Sequence, residues 1–256
     1  MSYISSLTTE QVAALTTDNV VSLSTSQIQE LSSAQIVALT TDQAGVLTTA
    51  QVAALTTSQI DAFETEDLAA LTTSAVAALT TAQIQSLTTD QVAGLSSNQA
   101  GALTTVQLRV LTTEQLVALE TADFAALSTA AVAALTTTQT QALTTDQLGT
   151  LSSDEIVALT TAQVAALTTA QIMGLTTAQT GGLTSVQVRA LTTAQVKALE
   201  TADFDALATN TVAALTTAQV VALTTDQLGT LSSDEIVALT TTQVAALTTA
   251  QVVGLT

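Results

Sequence analysis

The chain has no cysteine, no histidine, no proline and no tryptophan. Without cysteine there are neither disulfides nor thiolate metal sites, and the redox compartment leaves no mark. Without histidine the commonest metal ligand and the commonest general base are missing. Cations are almost absent: Arg109, Arg189 and Lys197 stand against 21 acids, for a net charge of −18. Nucleic acid and anionic bilayers need clustered positive charge, so neither is expected as a partner. Long apolar runs are missing as well. Mean hydropathy is +0.50, yet a Ser/Thr pair interrupts the apolar residues in nearly every eight. No run approaches the roughly 18 residues that a spanning helix requires. The opening "MSYISSLTTEQ" has neither the basic nor the apolar region of a secretory leader. Export would then use a route without a cleaved signal. Serine and threonine abound, but a hydroxyl nucleophile needs a base and an oxyanion site, and neither is in view. No catalysis and no cofactor are expected.

What is present is an octapeptide. "LTTAQVAALTTAQIMGL", residues 159–175, writes it twice. With positions labelled a to h from Leu7, position a is Leu at 31 of 32 occurrences, the exception being Phe63. Position b is Ser or Thr at 28 of 32, and position c at every occurrence. Position e is Gln at 22 of 31. Position f is a large apolar residue except at Ala44, Ala100, Thr140 and Thr180, and all nine glycines sit at g or h.

Three backbone forms meet that pattern differently. A continuous α-helix advances about 100° per residue, so eight residues overshoot two turns by about 80° and the Leu stripe winds around the axis. A flat strand puts a and f on opposite faces, because their separation is odd. A short helix that restarts in each octad satisfies everything. Thr at b and Gln at e form the S/T-x-x-E/Q capping box, and Leu at a with Val or Ile at f occupy the N′ and N4 positions of the hydrophobic staple. Acids recur at d, the N2 position, where the helix dipole favours them: Glu10, Asp18, Asp42, Asp90, Asp146 and Asp226. Such helices are too short to stand alone, since isolated helices below about 12 residues are marginal. They must stack as the sides of a coil. The fold expected is all-α, a solenoid of short capped helices with one helix per octad; the Thr and Val content leaves a β-solenoid as the alternative.

A longer repeat lies above the octad. Residues 103–176 recur at 183–256, ten octads on, and a shorter copy spans 47–102. The shorter copy lacks three octads, corresponding to 159–182, as if one complete turn were three octads. The domain organisation expected is one solenoid over 1–256, with longer units near 47–102, 103–182 and 183–256. Met1 falls at c and Thr256 at b, so one chain's last residue followed by the next chain's first continues the octad. Neither end carries a polar capping repeat, and heterologous contacts that do not close a ring make filaments. Tyr3, Ile4 and Leu7 at one end, and Val252 and Leu255 at the other, are the candidate subunit interface of a homopolymer.

Acidic groups at Glu66-Asp67, Asp154-Glu155, Asp234-Glu235, Glu120/Asp123 and Glu200/Asp203/Asp205 have oxygen ligands of the kind Ca²⁺ takes. The expected role is structural, as charged equivalents of the Thr/Gln box. Phe124 and Phe204, in the variant octad "ETADF", are expected to fill a wider part of the core. Thr rows at b and c raise an ice-binding face as a further alternative, with the b hydroxyls already committed to capping.

The words "LTTEQVAAL" at 7–15 and "LTTEQLVAL" at 111–119 resemble the opening of a TAL-effector repeat, Leu-Thr-Pro-Glu-Gln-Val-Val-Ala-Ile. The likeness covers one octad at a time and supports b as the N-cap, because that family's Pro falls at c, the N1 position. The base-reading loop and second helix of that family have no counterpart, so no functional residue carries over. As a whole the array resembles Thr/Gln/Ala-rich tracts of large secreted bacterial surface proteins. That resemblance implies an extracellular structural role: a filament or surface layer assembled head to tail, or an adhesin-type spacer that does not assemble. In solution, far-ultraviolet circular dichroism should show the double minimum of helix; a strand spectrum would end the argument for restarting helices.

Overall fold

The computed structural model describes residues 3–254. Among them are 31 α-helices, a short 3-10 turn at Tyr3–Ser6, and no strand. The helices run four to six residues, as in Thr121–Phe124, Thr9–Ala13 and Thr17–Ser22. The solenoid of short helices is thus the fold, and the β-solenoid is set aside. The chain divides into two compact units, Met1–Ala134 and Leu135–Thr256.

Each helix begins where the octad says it should. Thr8, Thr16 and Ser24 are N-caps with extended backbone, φ near −70° and ψ near 160°, and the same geometry recurs at Thr144, Thr160 and Thr224. The cap hydroxyl accepts from the N3 amide while the N3 side-chain carbonyl accepts from the cap amide, as at Thr80 and Gln83 (3.3 and 2.7 Å). Extended backbone at b cannot continue a helix, so the chain turns there. Helices end in two ways. Those of five residues stop with position h still in the αR region, as at Ala38; those of six run through h and stop at an extended Leu, as at Leu87.

Burial follows the same phase. In the interior octads a, e and f are buried while b, c and d face outward. Leu and the β-branched or larger f residue are therefore the apolar core: Leu55 and Ile60 in the first unit, Leu167 and Ile172 in the second. Burying such side chains contributes about 1.5–3 kcal/mol each. In both units each helix packs on the third helix along. Thr41–Gly45 lies on Thr65–Ala70 and Thr89–Ala93 on Thr113–Ala118 in the first; Thr137–Ala142 lies on Thr161–Ala166 in the second. One turn of each coil is three octads.

The turns are joined by an amide ladder. Gln35 Nε2 donates to the carbonyls of Ile4 (3.2 Å) and Leu7 (2.8 Å), one turn below. Gln59 does the same to Ile28 and Leu31, both at 2.7 Å, and Gln83 to Val52 and Leu55, at 2.8 and 2.7 Å. In the second unit Gln171 reaches Thr140 and Leu143 (2.9 and 2.8 Å), and Gln219 reaches Val188 and Leu191 (2.8 and 2.7 Å). The acceptors lie 31 and 28 residues earlier each time. They flank the corner between two helices, where carbonyls lose their intrahelical partners. One buried side chain thus closes the start of its own helix and the corner beneath it.

Glycine is not here to supply left-handed backbone, because no described residue has positive φ. At Gly101 it allows close approach instead: a Cβ there would lie 2.8 Å from the Ala126 carbonyl in the next turn.

Gln83→Ala removes the cap acceptor and both donors to the turn below, and should cost about 2–4 kcal/mol in urea unfolding. Thr80→Ala removes only its half of the cap and should cost about 1 kcal/mol. Equal losses would mean that the glutamine does no more than cap.

Candidate functional site

The acids singled out in the sequence were expected at helix starts, and most lie there; Asp205 instead closes the helix Thr201–Asp205. Glu10 and Glu114 at N2 are held below the usual carboxylate range, first by backbone amides and then by the hydroxyls of Thr8 and Thr112. Glu155 and Glu235 complete capping boxes with Ser152 and Ser232, each accepting from the serine amide at 2.8 Å. The expectation that every charged pair replaces the box needs correcting at the variant octads. Glu64, Glu120 and Glu200 are N-caps that make no side-chain cap bond; the short oxygen-bearing side chains suit that position. Their N3 partners turn the other way. Asp67 and Asp123 are buried, and accept from Thr41 (2.9 Å) and Ser97 (2.6 Å) one turn below. Burial raises the Asp67 carboxyl above its ordinary value, the Thr41 hydroxyl opposing and Glu64 and Glu66 adding to it. A folded-state value above the unfolded one penalises the fold at neutral pH, and the penalty lifts as pH falls through it.

The variant octads also match what lies beneath them. The helix Ser97–Gly101, whose f residue is Ala100, packs against Thr121–Phe124; Thr177–Gly181, with Thr180 at f, packs against Thr201–Asp205. Phe124 and Phe204 are fully buried. Each of these large f residues sits one turn above a small one and fills the space that the small one leaves.

No three acidic side chains among the described residues come together in a way that could hold a metal ion. Surface hollows occur between turns. One in the second unit, about 290 Å³, is lined by Thr137, Thr138, Gln141, Thr169, Thr192 and Gln195 with alanines and Leu167. Hydroxyls, amides and methyls line it, with no acid or base. A second, in the same unit, has Lys197 at its edge among threonines and alanines. Both lie between helices of successive turns.

The arrangement also differs in the first and last described turns. In the first described turn the e residues Gln11 and Asn19 are exposed and Gln27 is half-buried. Their equivalents one turn later, Gln35, Gln43 and Gln51, are 2–5 % exposed and bonded downward. Gln11, Asn19 and Gln27 keep their cap bonds, while their amide nitrogens have no acceptor among the described residues. In the last turn the pattern inverts. Among the described residues the corner carbonyls of Ile236/Leu239 and Val244/Leu247 receive no side-chain amide, whereas Val220 and Leu223 just below receive Gln251. Ile236 and Leu247 are half-buried and Val244 is exposed, where their counterparts Val212, Leu223 and Val220 are buried.

Of the five residues singled out as an interface, Ile4 and Leu7 are buried with their carbonyls taken up by Gln35. Val252 is half exposed on the helix Thr249–Gly254. The backbone of Tyr3 begins the first 3-10 turn, its side chain lying outside the described residues, as does Leu255. Gln11, Asn19 and Gln27 were not among the five, because a capping box already accounts for a glutamine at e.

A family model described as the ALTTAQ repeat matches six segments: 20–57, 60–97, 116–153, 145–177, 196–233 and 228–256. They cover most of the chain. No curated protein matches it.

The ladder yields one further test. Glu235 caps Ser232 but lacks the donor that glutamine supplies to the corner below, at Phe204 and Leu207 by the 31- and 28-residue spacing. Glu235→Gln should raise stability by about 1–2 kcal/mol, read as a higher urea midpoint at unchanged slope.

Proposed function

We propose, from the premise that this chain belongs to the ALTTAQ-repeat family, that it is a structural protein, without catalysis, that self-assembles head to tail. The observation that supports it is the amide ladder: inside each unit the side-chain amide donors of one turn meet the corner carbonyls of the turn below. An unsatisfied donor or acceptor that becomes buried costs about 1–3 kcal/mol. The best-matched partner for a turn of this repeat is therefore another turn of the same repeat. The contact is heterologous, so copies add without closing unless their rotation makes a ring.

The net charge of −18 sets the conditions. Like-charged copies repel at low ionic strength, and the Debye length falls to about 8 Å at physiological salt, so assembly should be favoured by salt. The setting proposed is extracellular, as a filament or surface layer of a bacterium; no described helix is long and apolar enough to cross a membrane. The alternative is a spacer that holds a separate binding module away from a surface and does not assemble.

Negative-stain electron microscopy and light scattering over a concentration series at physiological salt separate the two. Filaments of uniform width that lengthen with concentration are expected. Monomers at every concentration would leave the spacer.

A further inference from the structure

We propose that Arg189 and Lys197 are the binding residues of two surface hollows that take a carboxylate carried on a hydroxylated, sugar-like molecule. The hollows are of one recurring kind, found where position g of a helix lies beside position h of the helix one turn on. In the second unit Gln141 stands at g with Ala165 and Ala166, Arg189 with Ala213 and Ala214, and Lys197 with Val221 and Ala222. In the first unit Asp61 takes the same place, with Ser86 at h one turn on. Most of the remaining lining is threonine, serine or alanine each time. The g side chain therefore sets what each hollow can hold: a neutral amide at Gln141, an acid at Asp61, a cation at Arg189 and Lys197.

The two cationic hollows are rich in uncommitted donors. They measure about 360 Å³ at Arg189 and 560 Å³ at Lys197, and no acid lines either; spaces of that size hold small ligands. Both cationic side chains are exposed, and neither makes an ion pair or a hydrogen bond among the described residues, although the chain has 21 acids. Beside Arg189 the Thr216 and Thr240 hydroxyls accept from the Gln219 and Gln243 amides, both at 3.2 Å, which leaves each O–H to donate. Gln243 itself is committed, its Oε1 to the Thr240 amide and its Nε2 to the Leu215 carbonyl. Beside Lys197 the Thr224 hydroxyl accepts from the Gln227 amide at 3.1 Å and keeps its proton likewise.

A guanidinium or ammonium group among hydroxyl donors fits an oxyanion, Arg189 in the bidentate manner of a planar fork. The threonine hydroxyls further from the cation fit the oxygens of a polyol. The net charge of −18 repels a polyanion, and each cation stands alone in its hollow, so the ligand has one carboxylate per hollow. Both cations lie in the last turn of their helices, Ser185–Ala190 and Thr193–Ala198, where they also offset the helix dipole. That role calls for no ligand, and a binding measurement separates the two.

Amide chemical-shift titration of the full chain reads each hollow separately. Glucuronate is the probe, glucose the control without the charge, and acetate the control without the hydroxyls. Glucuronate should shift the hollows of Arg189 and Lys197 and leave that of Gln141 unmoved, with glucose and acetate at least about fivefold weaker. Arg189→Gln should weaken the response of its own hollow at least about tenfold and spare that of Lys197, and Lys197→Gln the reverse. Gln141→Arg should create a third response. Each variant is first confirmed as helical by circular dichroism. No glucuronate response in the wild type, acetate binding as tightly as glucuronate, or a response that survives both substitutions would each overturn the proposal. Loss of self-association in the double variant, with no glucuronate response in the wild type, would assign the cations to contacts between copies and overturn it equally.

Discussion

Everything in this fold depends on one amide doing two jobs. The carbonyl oxygen of the e glutamine ends the preceding corner by accepting from the cap amide, and its nitrogen donates to the carbonyls of the corner one turn lower. Helices of five or six residues leave most of their backbone groups outside any intrahelical bond, since four amides are orphaned at the start and four carbonyls at the end. A solenoid of such helices would be poor in satisfied polar groups if the ends were left to water. The glutamine answers three of those groups per octad from a buried position, and no buried side-chain polar atom among the described residues lacks a partner. Leucine at a and the f residue supply the apolar burial, but they say nothing about which turn lies on which. The ladder fixes that.

The exceptions obey the same constraint. Where e is aspartate, the cap is a glutamate that makes no side-chain cap bond, and the aspartate accepts from a hydroxyl of the turn below, as Asp67 does from Thr41 and Asp123 from Ser97. Above Ala100 and Thr180 at f the partner turn brings Phe124 and Phe204, above Ala44 it brings Leu68, and at Gly101 the backbone comes close enough that a Cβ would clash. Each departure from the octad is thus answered one turn away, 24 residues along the chain. That coupling explains why "ETADF" and its flanking octads recur together in the longer repeat instead of scattering singly.

Much of this was legible in the residues. The S/T-x-x-Q spacing located the N-caps, the Leu and Val positions located the core, and the missing three octads pointed to the turn length. The ladder was not read, although a signal for it exists. The capping box accepts Glu or Gln equally, and the helix dipole favours Glu. The chain nevertheless has Gln at 22 of its e positions and Glu at two. A position that refuses the better cap must need a donor, and the donor's acceptor must be buried. What no pattern in one octad could show is where that acceptor lies, because it belongs to a corner 28 to 31 residues away. For the same reason an interface read from one octad falls on apolar side chains such as Ile4 and Leu7, both buried, and not on the amides at e.

In the proposed assembly, growth within a chain and growth between chains would be one physical process. Each added turn buries a row of amides against a row of carbonyls and a strip of Leu and Val against its like, whether a peptide bond connects the turns or not. Covalent connection raises the effective concentration of the next turn; it does not alter the contact. A polar ladder also suits a junction better than an apolar patch would. Amides and carbonyls left in water are solvated at little cost, so an open edge does not invite indiscriminate association. Once a turn is docked, the same groups penalise any offset that leaves them buried and unpaired. Leucine and valine would tolerate a slip of one octad, and the donor–acceptor rows would not.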